Sequence, residues 1–190
     1  SQKKLLKKRV LILARDRFGE KPLYYGWQGK GSNAVFLFAS ELGSIRCHPS
    51  FARKINRHAL ASYLKKNYLA GTASIYQGIK KLPPGCILKV SRQDSVEIIK
   101  PWFSSINLVK KCVVSRYKKT KVDASRDLEA VLSKSIKRQM ISDVSLGAFL
   151  SGGIDSSTIV ALMQKQSSNP IKTFSIGFNE PDYNEAIYAN

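Results

Sequence analysis

Ser151-Gly152-Gly153-Ile154-Asp155-Ser156-Ser157 is the stretch on which the reading of this chain turns. The mostly apolar run before it, Val144 to Leu150, predicts a strand buried on both faces. After it, Ser157 to Gln166 has helical spacing, with Ile159, Val160, Leu162 and Met163 as its apolar positions. Asn169-Pro170 interrupts the chain, and Ile171 to Phe178 predicts a second strand. The order strand, glycine loop, helix, strand describes one right-handed βαβ unit, with its loop at the carboxyl end of the first strand.

Residue types limit what such a loop can do. Gly152 and Gly153 allow a tight turn and close approach of a ligand to the backbone. Successive N–H groups there form an anion nest, reinforced by the positive end of the following helix. Ser151, Ser156 and Ser157 add hydroxyl donors. Asp155 is wrong for touching phosphate but right for holding a Mg²⁺ that bridges phosphate oxygens. The loop is not a G-x-x-x-x-G-K-[ST] loop, a G-x-G-x-x-G fingerprint or a G-x-S-x-G elbow. The competing reading is a plain Ser/Gly turn with an Asp–Ser helix cap.

Placed after an apolar strand, these seven residues closely resemble the PP-loop of ATP pyrophosphatases, which split ATP into AMP and pyrophosphate. Other segments narrow the resemblance to glutamine-hydrolysing asparagine synthetases. They are Ala14-Arg15-Asp16-Arg17-Phe18-Gly19-Glu20-Lys21-Pro22-Leu23-Tyr24-Tyr25, Phe38-Ala39-Ser40-Glu41, Leu82-Pro83-Pro84-Gly85, and Thr173-Phe174-Ser175-Ile176-Gly177-Phe178 followed by Asp182-Tyr183-Asn184-Glu185. Cys86 stands where this family usually has histidine, a departure expected to be neutral. The resemblance implies an α/β and α+β chain. An Ntn-hydrolase-like antiparallel β glutaminase portion would occupy residues 1–108 and a linker residues 109–122. The first βαβ unit of a parallel-sheet PP-loop domain would occupy residues 123–190.

Site assignments follow from the same resemblance. Ser151, Gly152, Gly153, Asp155, Ser156 and Ser157 would hold the phosphates of ATP, with Asp155 the catalytic residue and Mg²⁺ ligand. Main-chain groups at Phe149 and Ile176 would meet the adenine edge. The implied substrates are ATP, aspartate and glutamine, with Mg²⁺ as cofactor, a cytoplasmic setting, and the question of a homodimer open. The family's N-terminal cysteine and glutamine-binding residues would lie upstream of this chain, and its later ATP and aspartate loops downstream. The chain is therefore expected to be an internal piece, inactive alone, and Ser1 is not expected to act as a nucleophile.

Composition sets outer bounds. Of 190 residues 43% are hydrophobic, enough for one or two cores. No apolar run approaches the length of a membrane span. Cys47, Cys86 and Cys112 lack metal-type spacing and read as reduced thiols. Charge is uneven: residues 1–122 hold 26 Lys and Arg against 5 Asp and Glu, and residues 123–190 hold 6 against 8. The basic residues are scattered rather than interleaved with aromatics. A solvated or interface surface therefore outweighs a nucleic-acid or anionic-membrane one.

In the first half, strands are expected at Val10–Ala14, Leu23–Trp27, Ala34–Ala39 and Cys86–Val90, the middle pair joined by a Gly29–Asn33 turn. A helix from the Asn56 cap to about Leu69 follows from Ala59, Leu60, Tyr63, Leu64 and Tyr68. Arg15 and Asp16 read as a structural ion pair at a turn, which the resemblance places near the domain interface. His48 and His58 also read as structural. Asp123 to Met140 predicts an amphipathic helix with Leu128, Val131, Leu132, Ile136 and Met140 on one face. Two other classes stay open. One is a different PP-loop adenylating enzyme, acting on a surface-polysaccharide carboxylate or on tRNA. The other is a non-enzymatic polyanion-binding module.

Overall fold

A computed structural model describes residues 10–91, 96–180 and 184–189. The chain divides into two compact units, residues 1–115 and 116–190.

In the first unit, β1 (Val10–Ala14), β5 (Cys86–Ser91) and β6 (Val96–Pro101) form an antiparallel sheet in the order β1-β5-β6. A second antiparallel sheet has the order β3-β2-β4, from β2 (Tyr24–Gln28), β3 (Val35–Ala39) and β4 (Lys80–Lys81). The turn from β2 to β3 passes through a short 3₁₀ segment at Gly31–Asn33. Strand alternation turns Leu13, Leu88 and Val90 of one sheet and Tyr25 of the other into a shared core with Leu82 and Cys86. Leu37 lies in a second core with Ile45, Phe51 and Ile79. This core draws on the short helix α1 (Leu42–Arg46) and the connection before β4. With a core on each side, β2 buries Tyr25, Gly26 and Gln28.

Helix α2 (Arg57–Lys66) begins where Asn56 accepts the Ala59 N–H and ends at Asn67, whose left-handed φ of 58° closes it three residues early relative to Tyr68-Leu69. Only Ala59 on it is buried. Helix α3 (Ser105–Val114), capped by Ser104, runs into the stretch read as a linker, and none of its residues is buried. Cys86 is buried, Cys47 and Cys112 are exposed, and all three are free thiols.

Arg15 and Asp16 are structural, but they are not an ion pair. The Arg15 guanidinium donates to the carbonyls of Leu82 and Gly19, both at 2.6 Å, and of Lys21 at 3.0 Å. The Asp16 carboxylate accepts the N–H groups of Phe18, Glu20 and Lys21 at 2.9–3.1 Å. Neighbouring residues thus serve opposite polar groups of one turn, which leaves neither charge free for the other. Desolvation pushes the Asp16 carboxyl upward. The backbone N–H groups at Lys21, Glu20, Gly19 and Phe18 outweigh that and hold it below the usual carboxylate range. His48 is structural too, its Nδ1 accepting the Ser50 N–H, and His58 is exposed on α2.

The second unit contains α4 (Lys121–Gln139), β7 (Gly147–Phe149), α5 (Ile154–Gln164) and β8 (Lys172–Phe174). Thr120 caps α4 by accepting the Asp123 N–H and donating to the Asp123 carboxylate. β7 and β8 pair in parallel across α5, Gly147 opposite Lys172 and Phe149 opposite Phe174. The core is Ile136, Leu162 and Met163, with Leu132, Met140, Ala148 and Ile171 packed on it. Leu128 and Val131, assigned to the apolar face of α4, are exposed. Lys165 at the end of α5 reaches Glu129 of α4 at 2.7 Å.

The strand before the loop is shorter and barer than its apolar run predicts. It covers three residues rather than seven, and Val144 and Phe149 are 76% and 77% exposed. The second strand likewise spans Lys172–Phe174 rather than Ile171–Phe178. Among the described residues, only β8 pairs with β7, and the helices bury only the side carrying Ala148.

Candidate functional site

The parallel pair continues one step beyond β7. Leu150 donates its N–H to the Phe174 carbonyl at 2.9 Å, and the Ser175 hydroxyl donates to the Leu150 carbonyl at 2.6 Å. A side chain has taken over a ladder bond, fixing where strand gives way to loop. Gly152 then turns at φ +75°, in the left-handed region that favours glycine. Gly153, in an extended conformation, is the N-cap of α5, and its side-chain-free position supplies no cap bond. Above Gly152 lies the main chain of Tyr188, from a 3₁₀ turn at Glu185–Tyr188. A Cβ added to Gly152 would stand 2.4 Å from the Tyr188 carbonyl oxygen.

Three hydroxyls are arranged within the loop. Ser156 Oγ accepts the Ser151 N–H at 3.3 Å, lies 3.0 Å from Ser151 Oγ and donates to the Gly153 carbonyl at 3.1 Å. Thr158 donates back to the Ile154 carbonyl at 2.7 Å. The N–H groups of Ile154, Asp155 and Ser156 make no hydrogen bond to another described residue. They are the orphan donors of the first turn of an eleven-residue helix, where the positive end of its dipole lies. Gly153, Ile154, Asp155 and Ser157 are exposed, so the donor face is open to solvent.

This arrangement suits an anion with several oxygens, which needs donors converging without side chains in the way. Asp155, in the first turn, is the only carboxylate of the seven residues. No group of three or more His, Cys, Asp or Glu suited to a metal occurs among the described residues. A cation at Asp155 would therefore need ligands from a phosphate or water, as Mg²⁺ accepts. Phe149 and Ile176 are both exposed, and the main chain of Ile176 makes no hydrogen bond to another described residue. Every residue assigned from sequence to the nucleotide lies on the β7 end, the loop, the first turn of α5 or the segment after β8.

Sequence reasoning missed three parts of the site. The Ser156 bonds depend on rotamers, and the Ser175 bond on pairing across twenty-five residues. Tyr188 meets Gly152 across thirty-six positions with no local signal beyond the glycine itself. The Asp182-Tyr183 part of the resembling segment lies outside the described residues. No described helix is long and apolar enough to cross a membrane.

Comparison with known proteins matches residues 6–103 to the glutamine amidotransferase domain family and residues 127–190 to the asparagine synthase family. Asparagine synthetase [glutamine-hydrolyzing] 3 of Bacillus subtilis (strain 168) is 32% identical over 182 residues, covering 93% of this chain and 27% of the relative. Asparagine synthetase [glutamine-hydrolyzing] 1 of the same organism is 34% identical over 183 residues, covering 95% of this chain and 26% of the relative. The chain thus spans about a quarter of the length of these curated relatives. With an amidotransferase segment running into an asparagine synthase segment, the chain belongs to the glutamine-hydrolysing asparagine synthetase family.

Proposed function

We propose that residues 151–157 are the pyrophosphate-binding loop of an ATP-dependent, glutamine-hydrolysing asparagine synthetase. In this reading residues 1–108 belong to its Ntn-type glutaminase domain, 109–122 link, and 123–190 open the PP-loop synthetase domain. The observation that carries it is the set of unpartnered N–H groups on Ile154, Asp155 and Ser156, open at the end of a parallel strand behind Gly152-Gly153.

In the reaction, a β-carboxylate oxygen of aspartate attacks the α-phosphorus of ATP. The bond from that phosphorus to the bridging oxygen breaks, and pyrophosphate departs with the electron pair. Ammonia from glutamine hydrolysis then attacks the acyl carbon, AMP leaves, and the nitrogen gives up a proton to form the amide.

This chain's contribution is to hold the leaving group. The loop N–H groups donate to its oxygens, and their orientation is fixed before substrate arrives, so little reorganisation accompanies the build-up of charge. The seven residues contain no lysine, so they supply dipoles rather than a full positive charge. Bound at Asp155, Mg²⁺ would supply that neutralisation. Main-chain groups at Phe149 and Ile176 orient the adenine. Aspartate, glutamine and ATP are the substrates, and the setting is the cytoplasm.

Asp155→Ala in the intact protein should abolish aspartate-dependent exchange of pyrophosphate into ATP while sparing glutamine hydrolysis. Undiminished exchange in that variant refutes the site. Exchange stimulated by RNA or by a sugar carboxylate instead of aspartate would keep the loop and replace the acceptor.

A further inference from the structure

We propose that α3 and the basic chain that follows it form a docking surface for an anionic phospholipid membrane. The proposal is independent of the phosphate loop and rests on what the first unit leaves uncovered.

All ten residues of α3 (Ser105–Val114) are exposed, six of them apolar. Ile106, Val109 and Val113 recur at three- and four-residue intervals and share one helix face, with Leu108 and Cys112 beside them. Ile106, Leu108, Val109 and Val113 are each half or more exposed. Lys110 stands four residues after Ile106 and Lys111 three after Leu108, so an ammonium borders the stripe on either side. Neither lysine pairs with a carboxylate among the described residues. A ten-residue helix is about 15 Å long and is marginal in water without packing. No described residue covers the stripe, so whatever covers it also stabilises the helix.

Charge decides what that is. Residues 98–122 hold seven Lys and Arg and no Asp or Glu. Lys119 is paired with Asp127 at 2.8 Å, and the other six have no carboxylate partner among the described residues. The excess extends over the whole unit, where residues 1–115 carry 22 Lys and Arg against 5 Asp and Glu. An acidic groove on a protein matches charge along one helix, whereas a bilayer of acidic headgroups matches it over a whole face. Nucleic acid offers the same charge but no apolar depth for aliphatic side chains, and α3 has no aromatic ring to stack on a base. At a bilayer interface the stripe lies below the headgroups while the lysine stems run along it and hold their charges at the surface. One such signal alone binds a membrane weakly; an apolar stripe and a basic stretch together bind it firmly.

The test is cosedimentation of the intact protein with vesicles of phosphatidylcholine alone, and of phosphatidylcholine and phosphatidylserine in equal parts. Binding should be confined to the mixed vesicles and should fall in about 1 M salt. Lys110→Gln with Lys111→Gln should weaken it by about thirtyfold, the loss of two charges at the surface. Val109→Ser with Val113→Ser leaves the charge unchanged and should weaken it by about tenfold or more. All four side chains are exposed, so both variants should keep the wild-type urea unfolding curve and pyrophosphate exchange. Amide hydrogen exchange over residues 105–114 should slow when mixed vesicles are added to the wild type, and should not in the valine variant. Wild-type affinity in the valine variant reduces the attraction to charge alone and overturns the role of α3. Equal binding to neutral and mixed vesicles, or binding to neither, overturns the membrane as partner. Slowed exchange over 105–114 with polyglutamate or duplex RNA, and none with vesicles, assigns the surface to an acidic polymer instead.

Discussion

Gly152→Ala tests the loop most directly, because two separate costs meet at one carbon. The residue sits at φ +75°, where an L side chain costs about 1–2 kcal/mol. Its new methyl would lie 2.4 Å from the Cβ and carbonyl oxygen of Tyr188 and 2.5 Å from the carbonyl carbon. Two of those atoms are main chain, so no rotamer change clears them, and either the Glu185–Tyr188 turn or the loop must move. Overpacking of that kind costs about 1–3 kcal/mol. Together the two come to about 2–5 kcal/mol, a shift of about thirtyfold or more away from the native loop. Gly153→Ala, one residue along, is the control. Its φ is −73°, and its methyl would meet only Ser151 Oγ at 3.4 Å and Ser156 Oγ at 4.0 Å. That change should fall within about 1 kcal/mol of wild type. Hydrogen exchange read by mass spectrometry on peptides covering 147–157 and 184–189 should show both segments deprotected in Gly152→Ala and neither in Gly153→Ala. Equal protection in the two variants would refute the argument from backbone conformation and the Tyr188 contact.

Other outcomes follow from the same kind of reasoning. Gly26→Ala places a methyl 1.9 Å from the Gly78 carbonyl oxygen against the enclosed strand β2, and should destabilise the first unit by about 3 kcal/mol or more in urea unfolding followed by tryptophan fluorescence. The depressed carboxyl of Asp16 contributes stability above its unfolded pKa, and that contribution is lost as pH falls through the folded value. Asp16→Asn should therefore flatten the acid side of the stability–pH curve of the first unit, and an unchanged curve contradicts the N–H nest. The Lys165–Glu129 pair lowers the Glu129 carboxyl and raises the Lys165 ammonium, in each case chiefly through their mutual hydrogen bond. Its coupling should fade as pH falls through the folded Glu129 value or rises through that of Lys165. A double-mutant cycle should also show it shrinking in 1 M salt, as screening of exposed charges requires.

Legibility in the sequence followed how local each signal was. The glycine–serine loop, the Asn56 cap and strands β1, β2, β3 and β5 rest on neighbouring residues, and they occur within one or two positions of where alternation and turn chemistry place them. Strand β6 and helix α1 gave no signal strong enough to be read. Helix α3 was hidden because lysines and β-branched residues dominate it. Ile106, Val109 and Val113 are exposed in the structure, so no core selected a periodic stripe. Arg15 and Asp16 illustrate another limit. Opposite charges side by side suggest a pair, but consecutive residues diverge from the chain, and each found backbone groups nearer than its neighbour. At the loop, the residue types indicated a tight glycine turn before a helix, whereas the bonds from Ser156 to Ser151 and Gly153 depend on rotamers that only the folded loop sets.

The side of the parallel pair turned away from Ala148 carries Phe149 and Phe174, and past the end of β8 lies Ile176, all more than half exposed. The ring of Phe174 lies across Gly147, within 2.4 Å of where a methyl on that glycine would stand. Any larger residue at 147 would tip the ring off the strand and strip the little cover it gives. Apolar and adjacent to the donor loop, this surface favours association between copies at high concentration, so dilute solution is the condition in which to observe the loop's own chemistry.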